Sequence, residues 1–324
     1  MSATAPVRDA RRARRLPALA LVRDYGVVVC AGVLFVVLAM TSEPFLTTAN
    51  LLNILDQQAP VLICAAAGTL VLIGGGLDLS VGATVALSGV VAAKVAVDVS
   101  PVLGLLAGAA TGLAVGAVNG LLTTAGRVNS FIGTLATSFA IRGLAVLITG
   151  GLLVTVDDPA FTGLGRAELG GVKLSIWIAL AVVLAASFLL ARTTFGRHLL
   201  ASGGNPEAAR LAGVRVNLVR GATFAMSGLA AGVGGVIMAS RVGTGQADTG
   251  GGMEFAVIAG IVVGGTSVLG GDGGVWRSVV GVLFIAMIGN GFNLLGVDPI
   301  YQQIVQGLII LTAIAVDGWS RRPR

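Results

Sequence analysis

An all-α polytopic membrane protein of about ten transmembrane helices, with an inverted internal repeat and both termini cytoplasmic, is the fold class this sequence predicts. Three observations carry that expectation. Hydrophobic residues make up 55% of the 324 and charged residues 11%, too little polar surface to cover a soluble globule of that size. Apolar runs of spanning length recur from residue 25 to residue 317 rather than occurring once. A pattern of three glycines, an apolar residue and an acid stands in "IGGGLDLSVG" at 73–82 and returns in "TGGGMEFAVIAG" at 249–260.

Taken in order, the first 24 residues hold Arg8, Arg11, Arg12, Arg14, Arg15 and Arg23 ahead of an apolar run that lacks a small-residue cleavage site, which predicts a retained basic cytoplasmic tail over 1–24 rather than a signal peptide. Ten spans follow, at about 25–41, 58–74, 79–97, 102–125, 131–150, 175–191, 217–240, 255–270, 276–295 and 302–317. They form one transmembrane domain over 25–320, closed by a basic end at 321–324. A barrel would need strands of about ten residues with alternating polarity, and "VLGLLAGAATGLAVGAV" has none.

With the tail inside, sixteen of the 21 basic residues fall on the cytoplasmic side. These include Arg127, the five arginines from Arg192 to Arg220, Arg277 and the terminal Arg321, Arg322 and Arg324. Arg166, Lys173 and Arg241 fall outside, while Lys94 and Arg142 lie within spans. The positive-inside rule therefore sets the orientation, and the net charge of +6 is a topology signal rather than a nucleic-acid surface. The loop at 151–174 is external and the loop at 192–216 internal. Cys30 and Cys64 both lie in apolar segments, as buried small hydrophobes do.

The two glycine-acid stretches align residue 75 with 251 and Asp78 with Glu254, and further on Asn119 falls opposite Asn290. The third span begins inside and the eighth outside, so the halves, about 58–150 and 217–317, are expected to be related by a pseudo-two-fold axis in the membrane plane. Transporters built this way place their sites between the repeats, at interrupted helices. Gly104, Gly108, Gly112 and Gly116, spaced by four, predict a face for close helix packing.

Three glycines before an acid suit a helix end followed by a helix start. Asp78 and Ser80 are thus expected to cap the third span and Glu254 the eighth, each at a membrane boundary. In the functional reading, Gly74, Gly75, Gly76, Gly251 and Gly252 are break points flanking a pathway. Arg142, within the fifth span, needs a partner or a wet cavity. Asn119, Asn290 and Asn293 are pathway or interhelical hydrogen-bonding groups, with the interhelical role favoured. Lys94 pairs with Asp98 four residues on.

In the internal loop, "GGNPEAARLAGVRV" at 203–216 reads as a helix of about seven residues. Asn205 is its N-cap, Pro206 its first position, Glu207 lies in its first turn with Ala208 and Ala209 following, Arg210 comes near its end, and Gly213 is the stop. So short a helix needs something to hold it: either the lipid interface or a cytoplasmic partner.

"GGLDLSVGATVALSG", "GNPEAARLAGV" and "IAGIVVGGTSVLGG", in this order, resemble the permease subunits of bacterial ABC monosaccharide importers of the ribose and xylose type, over about residues 45–317. The resemblance implies a multi-pass permease of the bacterial cytoplasmic membrane. Its partners would be cytoplasmic ABC ATPases, an extracytoplasmic sugar-binding protein, and a second permease copy or paralogue. It implies that Asn205 to Gly213 is the ATPase-coupling segment, and that ATP and Mg are bound by the ATPases, with no cofactor in this chain. The chain lacks a GxxxxGK[ST] phosphate loop and has a single histidine, His198, so neither a catalytic nor a metal site is expected. The alternatives are an ion-coupled secondary transporter, which would make Asp78 and Glu254 ion ligands, or an ABC permease for a branched-chain amino acid or a nucleoside.

Overall fold

The computed structural model describes residues 17–312 apart from 299, 303, 306 and 310, with side chains described from residue 26. Most of the predicted tail, part of the tenth predicted span and the basic end lie outside the described residues. The helices are α1 (Pro17–Thr41), α2 (Thr48–Ile73), α3 (Val81–Asp98), α4 (Pro101–Thr124), α5 (Ser130–Thr149), α6 (Pro159–Arg166), α7 (Leu174–Arg192), α8 (Thr194–Gly204), α9 (Pro206–Leu211), α10 (Val216–Val242), α11 (Met253–Val263) and α12 (Val275–Leu294). Seven of them are long and apolar enough to cross a membrane, residues 26–41 and α11 are shorter apolar helices, and helical residues recur between 300 and 312.

Three departures from the predicted spans have physical causes. Helix α2 starts ten residues before the predicted span, because its polar first turns are paired rather than lipid-exposed: Asn50 bonds Asn290, and Asp56 bonds Arg241. Helix α11 stops seven residues early at Gly264 and Gly265, where the amides of Gly265 and Thr266 turn back onto the carbonyls of Val262 and Ile261. The internal loop holds an additional helix, α8, capped by the Thr193 hydroxyl on the Gly196 amide. On the side predicted to be external, β1 (Val154–Thr155) pairs antiparallel with β4 (Thr244–Gly245), and β2 (Glu168–Leu169) with β3 (Val172–Lys173).

The repeat is visible in which helices touch. Helix α10 packs on α3 and α4, and α2 packs on α11 and α12. Glycine contacts give the directions. Gly108 meets Ser88 and Val236, Gly112 meets Gly232, and Gly120 meets Gly221, so α4 runs antiparallel to both α3 and α10. Gly68 meets Val257 and Ile261, Gly264 meets Arg277, and Thr69 bonds Ser278, so α12 runs antiparallel to both α11 and α2. Gly234 lies against Pro60 and Cys64, while Gly76, beyond the end of α2, lies against Phe224, which sets α2 antiparallel to α10. Each unit is thus a long helix, a break, a shorter helix and a return helix, inverted relative to the other. The long helix of each unit packs on the shorter and return helices of the opposite one.

The α4–α10 seam is bare backbone. A Cβ built on Gly112 would lie 2.5 Å from the Cα of Gly232, and one on Gly116 would lie 2.8 Å from the Cα of Gly228. Small residues are what allow such approach where apolar burial alone gives helices no preference for each other over lipid. On the surface, Lys94 and Asp98 form the expected i,i+4 pair at 3.3 Å, both half exposed.

Candidate functional site

The first break, residues 74–80, opens with a Schellman turn. Gly75 sits at φ +79, its amide bonds Leu72 O, and the Gly76 amide bonds Val71 O. The chain then climbs into the bundle, and its free amides are met by α5: Ser130 Oγ accepts from Leu77 N at 3.1 Å and Thr134 Oγ1 from Leu79 N at 3.0 Å. Asp78 is only 7% exposed. Its Oδ1 accepts from Ser80 N at 3.0 Å and Ser80 Oγ at 2.6 Å, and its Oδ2 accepts from Ser227 Oγ at 2.8 Å. Asn119 donates to Ser80 Oγ at 2.8 Å and accepts from Thr137 Oγ1 at 2.9 Å. One buried chain of hydrogen bonds therefore ties the first break to α4, α5 and α10.

This corrects the capping expectation. Neither Asp78 nor Ser80 caps α3 through its side chain, since Asp78 serves Ser80 and Ser227 instead. Nor is Asp78 at the membrane boundary. Ser227 lies eleven residues into α10, about 16 Å along its axis at 1.5 Å per residue.

The second break, residues 243–252, descends into the bundle from the end of α10. Gly245 packs on Val90 and Ala93, Gly250 on Val85, and Gly82 is held against Gly250 O and Glu254 Oε2. Glu254 falls in the first turn of α11 as expected. It lies eleven residues of α3 deeper than the Gly245 contact, again about 16 Å, so it too is an interior acid. Among the described residues its Oε2 is buried without a hydrogen-bond partner. The Arg142 guanidinium approaches the same break, its Nη1 3.6 Å from a Cβ built on Gly251. Gly251 and Gly252 are exposed. The structure thus brings Arg142, Gly251, Gly252 and Glu254 together, while Asp78, Ser80 and Asn119 form the separate buried network. Asn290 is elsewhere, exchanging amide hydrogen bonds of 2.8 and 3.2 Å with Asn50.

At the end of the bundle where α2 finishes and α10 begins, the side predicted to be cytoplasmic, glycines join three segments. Gly203 packs on Ile73 O and Gly271 N, the Gly271 amide donates to Ile73 O at 2.8 Å, and Gly270 lies against Gly75. Arg220 Nη2 donates to Ser202 O at 2.9 Å and lies beside Gly75. Helix α8 is thereby fastened to the end of α2 and to the Gly270–Gly271 segment between α11 and α12, and carries α9 beyond them. In α9 the Asn205 side chain accepts from Ala208 N, Pro206 opens the helix, and Ala209 is buried. Glu207 pairs with Arg210 at 3.2 Å, and the Gly213 amide closes onto Arg210 O with φ +86. Each punctuation mark of the short helix stands where the sequence places it.

Sequence reading missed two groups. Asp56 joins the outer ends of α2, α7 and α10: Arg241 Nη2 donates to Asp56 O at 2.7 Å and to Oδ1 at 2.9 Å, and Ser175 Oγ donates to Oδ1. Near the α4–α5 turn, a cavity of about 540 Å³ is lined by Thr123, Thr124, Arg127, Arg210, Asn217 and Arg220. Arg127 there adopts φ +53, a left-handed conformation that costs a non-glycine residue about 1 kcal/mol.

The family described as branched-chain amino acid transport system, permease component, matches residues 50–314. The ribose import permease protein of Escherichia coli strain K12 is 39% identical over 291 residues, covering 88% of this chain and 91% of the relative. The L-arabinose ABC transporter permease protein of Azospirillum brasilense is 38% identical over 305 residues, covering 94% and 90%. The ribose import permease protein of Bacillus subtilis strain 168 is 38% identical over 289 residues, covering 88% and 89%. No solved structure matches. With the family match running through both inverted units, the chain belongs to the permease-component family of ABC transport systems.

Proposed function

We propose that this permease conducts a monosaccharide across the cytoplasmic membrane and lines the sugar's path with Arg142, Gly251, Gly252 and Glu254. The observation that carries the reading is the second break. Irregular backbone exposed at membrane depth is tolerated only against protein or water, and here it is exposed beside a guanidinium and an orphaned carboxylate oxygen. Such groups recognise a neutral polyol by hydrogen bonds without needing a charged substrate. The ribose and arabinose permeases among its relatives support a sugar over an amino acid.

Coupling follows from the cytoplasmic glycine seam. Helix α9 projects toward partner ATPases, which bind ATP and Mg, and α8 transmits its displacement to the end of α2, which leads into the first break, and to the Gly270–Gly271 segment between α11 and α12. A separate extracytoplasmic binding protein delivers the sugar, and a second permease copy or paralogue covers the exposed face of the second break.

Two measurements test this. With ATPases and binding protein reconstituted, Glu207→Lys or Arg210→Glu lowers sugar-stimulated ATP hydrolysis at least tenfold while the complex still co-purifies. Full stimulation in both variants removes α9 from coupling. Arg142→Gln or Glu254→Gln lowers sugar uptake per ATP hydrolysed while basal hydrolysis persists, and unchanged uptake in both places the path elsewhere.

A further inference from the structure

We propose that the cavity between α4, α9 and α10 is a binding site for a phosphate group, supplied by a lipid headgroup or a soluble phosphate ester at the cytoplasmic membrane surface. Three guanidiniums, from Arg127, Arg210 and Arg220, line one cavity of about 540 Å³ with no carboxylate in its lining. Arg210 has Glu207 as its pair and Arg220 has Ser202 O. Among the described residues Arg127 makes no hydrogen bond or ion pair, and Arg220 Nε is buried without a hydrogen-bond partner. The Thr123 and Thr124 hydroxyls donate back to carbonyls of their own helix, so the free donors of the lining are guanidinium N–H groups and the Asn217 amide. Clustered arginines holding unspent N–H groups fit the charge and several acceptor oxygens of phosphate, which they bind bidentately.

Two further features point to a ligand. The cavity lies where α4 ends and α10 begins, the level at which basic pockets between transmembrane helices meet headgroup phosphates. Arg127 occupies a left-handed position in the α4–α5 turn, where glycine would be unstrained. Strain retained by the residue with the free guanidinium fits a binding role. A phosphate there would tie α9 to the core helices, so its occupancy would set how firmly the α9 segment is held.

The test uses the full chain purified in uncharged detergent and in nanodiscs, with thermal unfolding midpoints measured at fixed ionic strength. Inorganic pyrophosphate is titrated in detergent, and cardiolipin is added to phosphatidylcholine nanodiscs. A saturable rise of several degrees in the wild type, at least halved in Arg127→Gly and Arg127→Gln, supports the site. A response to pyrophosphate identifies a soluble ester, and a response confined to cardiolipin identifies a headgroup. Without ligand, Arg127→Gly unfolds at or above the wild-type midpoint, which separates lost binding from lost folding. Equal shifts in wild type and variants, or no shift with either probe, overturn the proposal. So does weaker ATPase binding by Arg127→Gly in uncharged detergent free of phospholipid and pyrophosphate, because the arginines would then be a protein contact.

Discussion

Replacing Gly112 with valine abolishes the folded permease: the variant loses its cooperative unfolding transition and its monodisperse elution in detergent, while Gly32→Ala unfolds at or slightly above the wild-type temperature. At Gly112 even a methyl group meets the backbone of α10, with Gly232 N at 2.6 Å, Gly232 Cα at 2.5 Å and Gly228 O closer still. Backbone cannot rotate away as a side chain does, so α4 and α10 must separate. Overpacking a site that can relax costs about 1–3 kcal/mol, and this site relaxes only by opening the seam along Gly108, Gly112 and Gly116. Gly32 has nothing within 4 Å of its would-be Cβ, so its replacement adds about 0.5–1 kcal/mol of helix stability. A Gly112→Val chain with an unshifted midpoint would show that the seam does not hold α4 to α10.

That seam was legible in the sequence because a four-residue glycine spacing can have only one face. The short helix α9 was legible for a similar reason, since Asn205, Pro206, Glu207 and Gly213 act locally and need no tertiary partner to declare themselves. The depth of the acids was not. An acid after glycines predicts a helix start, but whether that start lies at the membrane surface or within the bundle depends on how far the broken segment re-enters. For Asp78 this is decided by Ser227, 149 residues away. Helix α8 and the Asp56–Arg241 pair were hidden for the same reason. Thr193, Asp56 and Arg241 read as ordinary loop and end residues until folding brings their partners near. The inverted repeat was legible as a pattern of breaks, whereas the crossed packing of each long helix on the opposite unit is a property of the three-dimensional arrangement.

Asp78→Ala lowers stability by about 3 kcal/mol and Asp78→Asn by about 1 kcal/mol or less. The alanine variant strips acceptors from Ser80 N, Ser80 Oγ and Ser227 Oγ at once, and each buried group left unpaired costs about 1–3 kcal/mol. Asparagine keeps an oxygen for Ser80 and presents an amide N–H2 to Ser227, whose hydroxyl accepts as readily as it donates. The network through Asn119 and Thr137 then survives with one bond reversed. Thermal unfolding of the two variants in detergent measures the order. Uptake measured in parallel separates two roles for the acid. If Asp78 is a structural acceptor, the asparagine variant transports, and ATP-driven uptake persists in wild type and variant alike when ion gradients are collapsed. If its charge binds a coupling ion, the asparagine variant folds yet stops transporting, and wild-type uptake falls with the gradient. Burial among three donors, with both carboxylate oxygens engaged, fits a structural acceptor, so the first result is the one expected.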